Sequence, residues 1–393
     1  RRQRQMCIRD SEKINALPIH CFERALDLAN SIDLIKEKEN PKSLMGLPIA
    51  VKDYNDVGGV FTTFGSKIFA NNTPKFSDAT VSKLERNGAN PIAKSNVPEW
   101  AGGHTFNPVF GVTRNPFDKT KTVGGSSGGS AAALASGQVW LATGNDLGGS
   151  LRTPAAFNNV VGLRPSPGVI PRGTRLQPFD TLWVEGPMAR NVTDVALMLE
   201  AGAGHHPDDP FSFDTRTKFF DKFVDMTMPR RVAFSTDLDI VPMSKEVTKV
   251  TTAAAKKLDA AGATVTHDIP DFTSAVTGFQ TLRGVLLGTM MGNLLESERD
   301  RIAEDIVDNV ERGFAVSSEQ LFEAERVRWS LYHQMTDFFK THDALICPSA
   351  SIPAFPVELR YVTEIDGETC ETYIDWFATV SYTHLTLPTN REV

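Results

Sequence analysis

Apolar positions recur along this chain in two rhythms: helical spacing over long stretches, and short unbroken runs between them. In residues 12–39, Ile14, Leu17, Cys21, Leu28 and Ile32 fall near helical spacing, and Asn40-Pro41 marks the stop. Residues 78–90 predict a helix with Val81 and Leu84 inward and Gly88 at its end. Residues 130–136 (SAAALAS) predict a small-residue helix closed by Gly137. Residues 244–261 predict another, with Ser244 as N-cap, Val247, Val250, Ala254 and Leu258 on one face, and Gly262 as stop. Ser317 and Gln320 have capping-box spacing, and the helix after them places Leu331, Met335, Phe338 and Phe339 on one side. The runs 47–52 (LPIAVK), 138–143 (QVWLAT) and 343–347 (DALIC) predict buried strands, the second followed by a turn at Gly144-Asn145-Asp146. Helices alternating with short apolar strands predict an α/β class. There is no internal repeat. The Pro/Asp-rich stretch 204–214 is the best candidate for a division between halves.

Composition narrows the class. A chain of 393 residues holds two or three domains, or one large α/β domain. A net charge of −7 argues against a primary nucleic-acid binder. No run approaches the roughly 18 apolar residues of a transmembrane helix, so no membrane partner is expected. Four cysteines do not make a disulfide framework in so long a chain; they fit a reducing, cytoplasmic setting. No HExxH and no Cys/His cluster occurs, so no metal is expected.

The two ends stand apart. Residues 1–10 (RRQRQMCIRD) and 380–389 (VSYTHLTLPT) can be encoded by one DNA segment read on opposite strands, and that segment resembles the transposon-end adapter of shotgun sequencing libraries. The expectation is that 1–10 and 380–393 are adapter-like and that 11–379 is one domain, shortened at its C-terminus. Setting the ends aside removes five basic and two acidic residues and deepens the net charge to −10.

The chemistry concentrates in residues 124–165. GGSSGGS at 124–130 has the composition of a flexible linker, yet it runs directly into the alanine-rich helix. A second Gly-Gly-Ser at 148–150 follows a predicted strand, so Gly/Ser turns flanking a helix–strand pair can bring Ser126 and Ser150 together. Their amides can point at an oxyanion. An activating base is less obvious. His205 and His206 lie in the polar loop, and His104 follows a Gly-Gly; a lone histidine in such a place is more often structural. Lys52 ends the apolar strand LPIAVK, which leaves two readings open: a snorkelling cation, or a desolvated lysine used as a neutral amine.

These residues resemble the amidase signature family of serine hydrolases. Gly46 to Asp53 (GLPIAVKD) is similar to its lysine motif, with Thr62, Thr63, Gly65 and Ser66 following; Gly124 to Ser130 is similar to its Gly/Ser stretch, and Gly144 to Pro154 to its nucleophile loop. Ser126 and Ser150 are 24 residues apart, the family's typical spacing. Weaker likenesses are Asp78-Ala79, Lys94-Ser95-Asn96, Asn115-Pro116, residues 186–190 (GPMAR) and Pro348, so the resemblance covers about residues 15–379. It implies a mixed central sheet between helix layers and hydrolysis of a small-molecule amide without a cofactor. Ser150 would be the nucleophile, Ser126 a bridging serine in a cis peptide, and Lys52 the base. The amides of Leu147, Gly148, Gly149 and Ser150 would form an oxyanion hole, with Ser127, Asp146 and Arg152 supporting. A homodimer is compatible with it.

Some positions depart from the family pattern. Leu147 and Asn145 replace frequent threonines, Val123 a common proline and Ala93 a usual glycine. Thr153 stands where the glutaminase-like member of the family, a component of the tRNA-dependent amidotransferase, usually has glutamine. That argues for a free-standing amidase over the glutaminase-like alternative. An α/β-hydrolase elbow at Gly124-x-Ser126-x-Gly128 lacks the required preceding strand, since residues 118–122 are DKTKT. A further alternative is an inactive truncated fragment.

Overall fold

The structure, a computed structural model, describes residues 13–34, 44–173, 177–215, 218–224, 226–370, 374–377 and 379. The two end segments and the Asn40-Pro41 stop lie outside these residues. The chain divides into two compact units. The first holds residues 1–225 with 300–303 and 356–360, and the second the remainder. The break falls beyond the Pro/Asp-rich stretch 204–214, which belongs to the first unit. Asp209 accepts the Arg172 N–H at 2.9 Å, and Gly204 N–H donates to Val169 O at 3.0 Å.

The first unit is built on a six-stranded mixed sheet. Its strands in chain order are β1 (Ile19–His20), β2 (Pro48–Lys52), β3 (Asn90–Ser95), β6 (Leu141–Asp146), β7 (Val161–Gly162) and β8 (Val184–Ala189), with β4 (Phe106–Asn107) and β5 (Gly111–Val112) forming a separate hairpin. The spatial order is β1-β3-β2-β6-β8-β7; β3, β2 and β6 run parallel, and the outer pairings are antiparallel. The helices are α1 (Phe22–Leu34), α2 (Ala79–Arg86), α3 (Gly128–Ala135), α4 (Arg152–Phe157), α5 (Val192–Gly202) and α6 (Phe219–Val224).

Two sequence expectations shift. The helix expected over 12–39 is interrupted: Pro18 favours extended backbone before it, residues 19–20 join β3 as an edge strand, and α1 starts only at Phe22. The strand expected at 138–143 runs instead from Leu141 to Asp146. Gly144, Asn145 and Asp146, expected to turn, pair with Gly186, Glu185 and Val184 of β8, and the bend follows at 147–149.

Alternation along β2 separates two cores. Ala50 joins Leu17, Ala131 to Leu134, Ala142, Leu151 and Met188 on the face covered by α3; Ile49 and Val51 join Val81, Leu84, Leu141, Val195 and Met198 against α2 and α5. The alanines of α3 let it lie close to the sheet. At Gly129 the approach is to backbone: a Cβ there would meet Asn96 N at 2.3 Å and Asn96 O at 2.5 Å, just past the end of β3.

The second unit carries a parallel three-stranded sheet of β9 (Arg231–Phe234), β10 (Thr264–Thr266) and β11 (Ala344–Ile346), in the order β10-β9-β11. Its helices are α7 (Lys245–Ala260), α8 (Ala275–Glu298), α9 (Glu304–Phe314) and α10 (Ser318–Phe338). Ser244 caps α7, and Ser317 with Gln320 forms the capping box of α10. The inward face of α7 is rotated from the expected one: Val250 is exposed and Ala255 is the buried residue.

Gly129→Ala should overpack the α3–β3 contact and cost about 1–3 kcal/mol. The expected outcome is a lower melting temperature by circular dichroism; an unchanged one would show that this packing yields.

Candidate active site

Two lysines in the first unit, Lys52 and Lys94, have no solvent exposure, and they sit on adjacent parallel strands. Their surroundings differ. Lys94 Nζ lies 2.9 Å from Asp53 Oδ1 and donates to Thr62 Oγ1 at 2.7 Å. Asp53 also accepts the Thr63 hydroxyl at 2.5 Å. That charge is paired and its partners are satisfied, the condition under which a buried cation is tolerable. Lys52 Nζ instead meets neutral oxygens: Ser126 Oγ at 2.7 Å, Asn145 Oδ1 at 2.6 Å and Asn145 O at 3.5 Å. Burial pushes Lys52 down to about 7, against an upward pull from the Glu185 and Asp146 carboxylates. A lysine so placed can hold or release a proton near neutrality.

Ser126 is reached by a packed loop, not a linker: residues 122–134 are buried throughout, apart from half-buried Lys121 before them. The Gly125–Ser126 peptide is cis. Gly124 O accepts the Thr105 N–H at 3.0 Å and the Thr105 hydroxyl at 2.9 Å, and a Cβ on Gly125 would meet Gly103 O at 2.2 Å. Ser127 N–H donates to Ser150 O at 3.2 Å and Ser127 Oγ to Asn145 O at 3.3 Å, which laces the loop to the end of β6.

Asp146 organises the segment that follows. It has no exposure; Oδ1 accepts Gly149 N–H at 2.8 Å and Oδ2 accepts Leu151 N–H at 3.0 Å. Arg152 Nε and Nη2 reach the two carboxylate oxygens at 3.0 and 2.8 Å, and Arg164 Nη1 donates to the Asp146 carbonyl. Burial opposes its charge, but the Arg152 and Arg164 guanidiniums hold its carboxyl far below the usual carboxylate range. Ser150 is half-buried, and among the described residues its hydroxyl and its amide have no hydrogen-bond partner; the Leu147 amide is in the same state. Gly149 requires correction as an oxyanion donor: its N–H is committed to Asp146, with the backbone at φ +121°.

Lys52 and Ser126 are therefore brought into direct contact, whereas Ser150 joins them through the Ser127 backbone. The histidines stay apart: His104 is buried against Phe106 with ring centroids 4.7 Å apart, and burial pushes it down to about 4.

Three neighbours escaped the sequence reading, and a fourth, Asp78, entered it only as a weak family likeness. Arg164 is the second cation on Asp146. Thr143 Oγ1 accepts the Lys52 N–H at 2.9 Å. Asp78, the N-cap of α2, accepts the Asn55 amide at 3.0 Å, and burial pushes it up to about 6. Glu185, opposite Asn145 on β8, accepts Trp183 Nε1–H at 3.3 Å; burial and then the Asp78 carboxylate push it up to about 7. A glutamate inside the apolar run LWVEGPMA was the available signal.

The Amidase family profile matches residues 5–391. The chain is 32% identical over 379 residues to one component of the glutamyl-tRNA(Gln) amidotransferase of Cyanothece sp., covering 88% of this chain and 79% of that one. It is 30% identical over 376 residues to an acylamidase from Rhodococcus erythropolis, covering 93% and 79%. The fold is similar to that of a bacterial aryl acylamidase of the amidase signature family, with a TM-score of 0.89 at 24% identity over 98% of this chain and 83% of that chain. Among the described residues no helix is long and apolar enough to cross a membrane.

The two lysines should respond differently to substitution. Asp53→Asn strands the Lys94 charge and should cost about 3–5 kcal/mol in urea denaturation. Lys52→Met removes a buried amine with no carboxylate in direct contact, so its cost should be smaller, about the 1–3 kcal/mol of leaving the Ser126 and Asn145 oxygens without their donor. A large loss with Lys52→Met would contradict this account of its environment.

Proposed function

The chain belongs to the amidase signature family, and from that premise we propose that it hydrolyses carboxylic amides to the acid and ammonia or an amine through a serine acyl-enzyme. The observation that carries the reading is the 2.7 Å contact between Lys52 Nζ and Ser126 Oγ in a setting that withholds an ion-pair partner from the lysine. At that distance either end can carry the proton. Neutral Lys52 takes the proton of Ser126, Ser126 takes that of Ser150, and Ser150 Oγ bonds to the substrate carbonyl carbon. The carbonyl oxygen becomes an oxyanion facing the amides of Leu147 and Ser150. Losing one such donor typically costs about 100- to 1000-fold in rate. The proton returns through Ser126 to the leaving nitrogen as the C–N bond breaks. Water then attacks the ester by the same route in reverse and releases the acid.

The second reading, a glutaminase-like amidotransferase component, is favoured by the 32% likeness to the Cyanothece protein. Thr153, buried in α4 where that kind of protein usually has glutamine, supports the free-standing amidase instead. Small amides and glutamine, compared as ammonia donors, separate the two.

Treatment with a fluorophosphonate should add one adduct by intact mass, lost in Ser150→Ala. No adduct on a chain that circular dichroism shows folded would overturn the nucleophile assignment. The base makes a second demand. Lys52 is an ammonium below about pH 7 and an amine above it, so the rate should climb about tenfold per pH unit below 7 and level off above. A profile flat from pH 6 to 10, with chemistry rate-limiting, would exclude a lysine base.

A further inference from the structure

We propose that Glu185 is a positioning residue for Lys52: from the neighbouring strand, and through Asn145, it fixes the lysine's orientation and its readiness to accept a proton. The inference rests on the reading of Lys52 as the base. Asn145 and Glu185 are directly opposed in the antiparallel β6–β8 pairing, so their side chains leave the same face of the sheet, with Cβ atoms about 5 Å apart. Asn145 Oδ1 is spent on Lys52 Nζ at 2.6 Å. Its Nδ2 is buried without an acceptor, and Glu185 Oε2 is buried without a donor. The two groups face each other across the strand pair and are not hydrogen-bonded to one another; the Glu185 carboxyl has Trp183 Nε1–H at 3.3 Å and the Asn55 amide as its neighbours, so a side-chain rotation is what would join it to Asn145. Glu185 accepting from Asn145 Nδ2 would lock the amide with its oxygen toward Lys52. When ionised it also places a negative charge near the lysine, favouring the ammonium; as the carboxylic acid it withdraws that support and favours the amine.

The other charges around the pair are already engaged. On β6, Asp146 is held by Arg152 and Arg164. On the β2–β3 side, Asp53 is held by Lys94. From α2 comes Asp78, whose carboxylate accepts from Asn55 and from the Asp56 and Val81 amides. From α5 come Asp194, beside Asn191 at the exposed helix start, and Glu200, which accepts the Phe219 N–H. The helix α3 carries no titratable residue. Asp53 and Asp146 thus have cations against them, whereas Asp78 and Glu185 have only neutral donors, and of these two Glu185 is the one that acts on Lys52.

The test is the rate at which fluorophosphonate labels Ser150 between pH 5 and 9.5, in the wild type, Glu185→Gln and Trp183→Phe, each checked for fold by circular dichroism. The wild type should show a rise that levels off near pH 7. Glu185→Gln removes the charge that favours the ammonium, so its midpoint should fall by about one pH unit, making labelling at pH 6 about fivefold faster than wild type. Trp183→Phe removes the donor that steadies the Glu185 carboxylate and should move the midpoint the same way by less; it carries the test should Glu185→Gln not fold. A lowered plateau with an unmoved midpoint would reduce Glu185 to a packing role and overturn the proposal. A wild type that labels with no acid limb, or does not label, would overturn the lysine-base reading itself.

Discussion

Everything in the first unit answers to one constraint: a lysine amine has been taken fully out of water and denied a carboxylate in direct contact. Desolvating an ammonium costs several kcal/mol unless a partner repays it. The chain meets that cost in two different ways one strand apart. At Lys94 it supplies Asp53 and the Thr62 hydroxyl. At Lys52 it supplies only hydroxyl and amide oxygens and lets the proton affinity fall. A neutral amine survives there only if nothing mobile or aqueous reaches it. This explains the alanines of α3, the glycines whose Cβ positions are already occupied by backbone, and the Thr105 bonds that seal the Gly124 carbonyl. The apparent flexibility of GGSSGGS is thus turned into its opposite: residues without side chains allow backbone to approach backbone.

Much of this was legible in the sequence, and the reasons differ by element. Lys52 stood out because a charge ended an apolar strand, and period-two alternation fixes which face such a residue shares with Ala50. The capping box at Ser317 and Gln320 is a local signal and appears as expected. The failures occur where tertiary pairing overrides local pattern. Gly-Asn-Asp at 144–146 has turn chemistry, yet β8 supplies a partner for each residue and the strand continues. Val250 falls on a helical period but not on the face that α7 buries. Glu185 was missed because a single charge in a strand is uninformative until its cross-strand neighbour is known, and that neighbour is 40 positions away in the chain.

The Gly149 amide shows how finely the 146–152 segment is divided. One carboxylate, Asp146, orders the loop by taking the amides of Gly149 and Leu151, and this leaves those of Leu147 and Ser150 without protein acceptors. A loop that satisfied every amide internally would be more stable and could bind no anion. The arrangement leaves donors unmet at the one place where a substrate oxygen would arrive, which is the usual form of stability given up for a site.

The distribution of charge then distinguishes the two sides of the proposed reaction. As Ser150 attacks, the neutral site separates charge: the amine becomes an ammonium and the carbonyl an oxyanion. Around the loop, Asp146 is outnumbered by Arg152 and Arg164, so the surplus is positive where the oxyanion forms. Around Lys52, the uncancelled groups are Glu185 and, beyond it, Asp78, so the surplus is negative where the ammonium forms. Oppositely biased surroundings at the two ends of a proton path stabilise the charge-separated state without waiting for solvent to reorganise, and in a site this dry they act at low dielectric. The bias has a limit. Desolvation of Lys52 sets it: burial outweighs the pull of the carboxylates on the lysine, so the amine is available above about pH 7 even with Glu185 ionised.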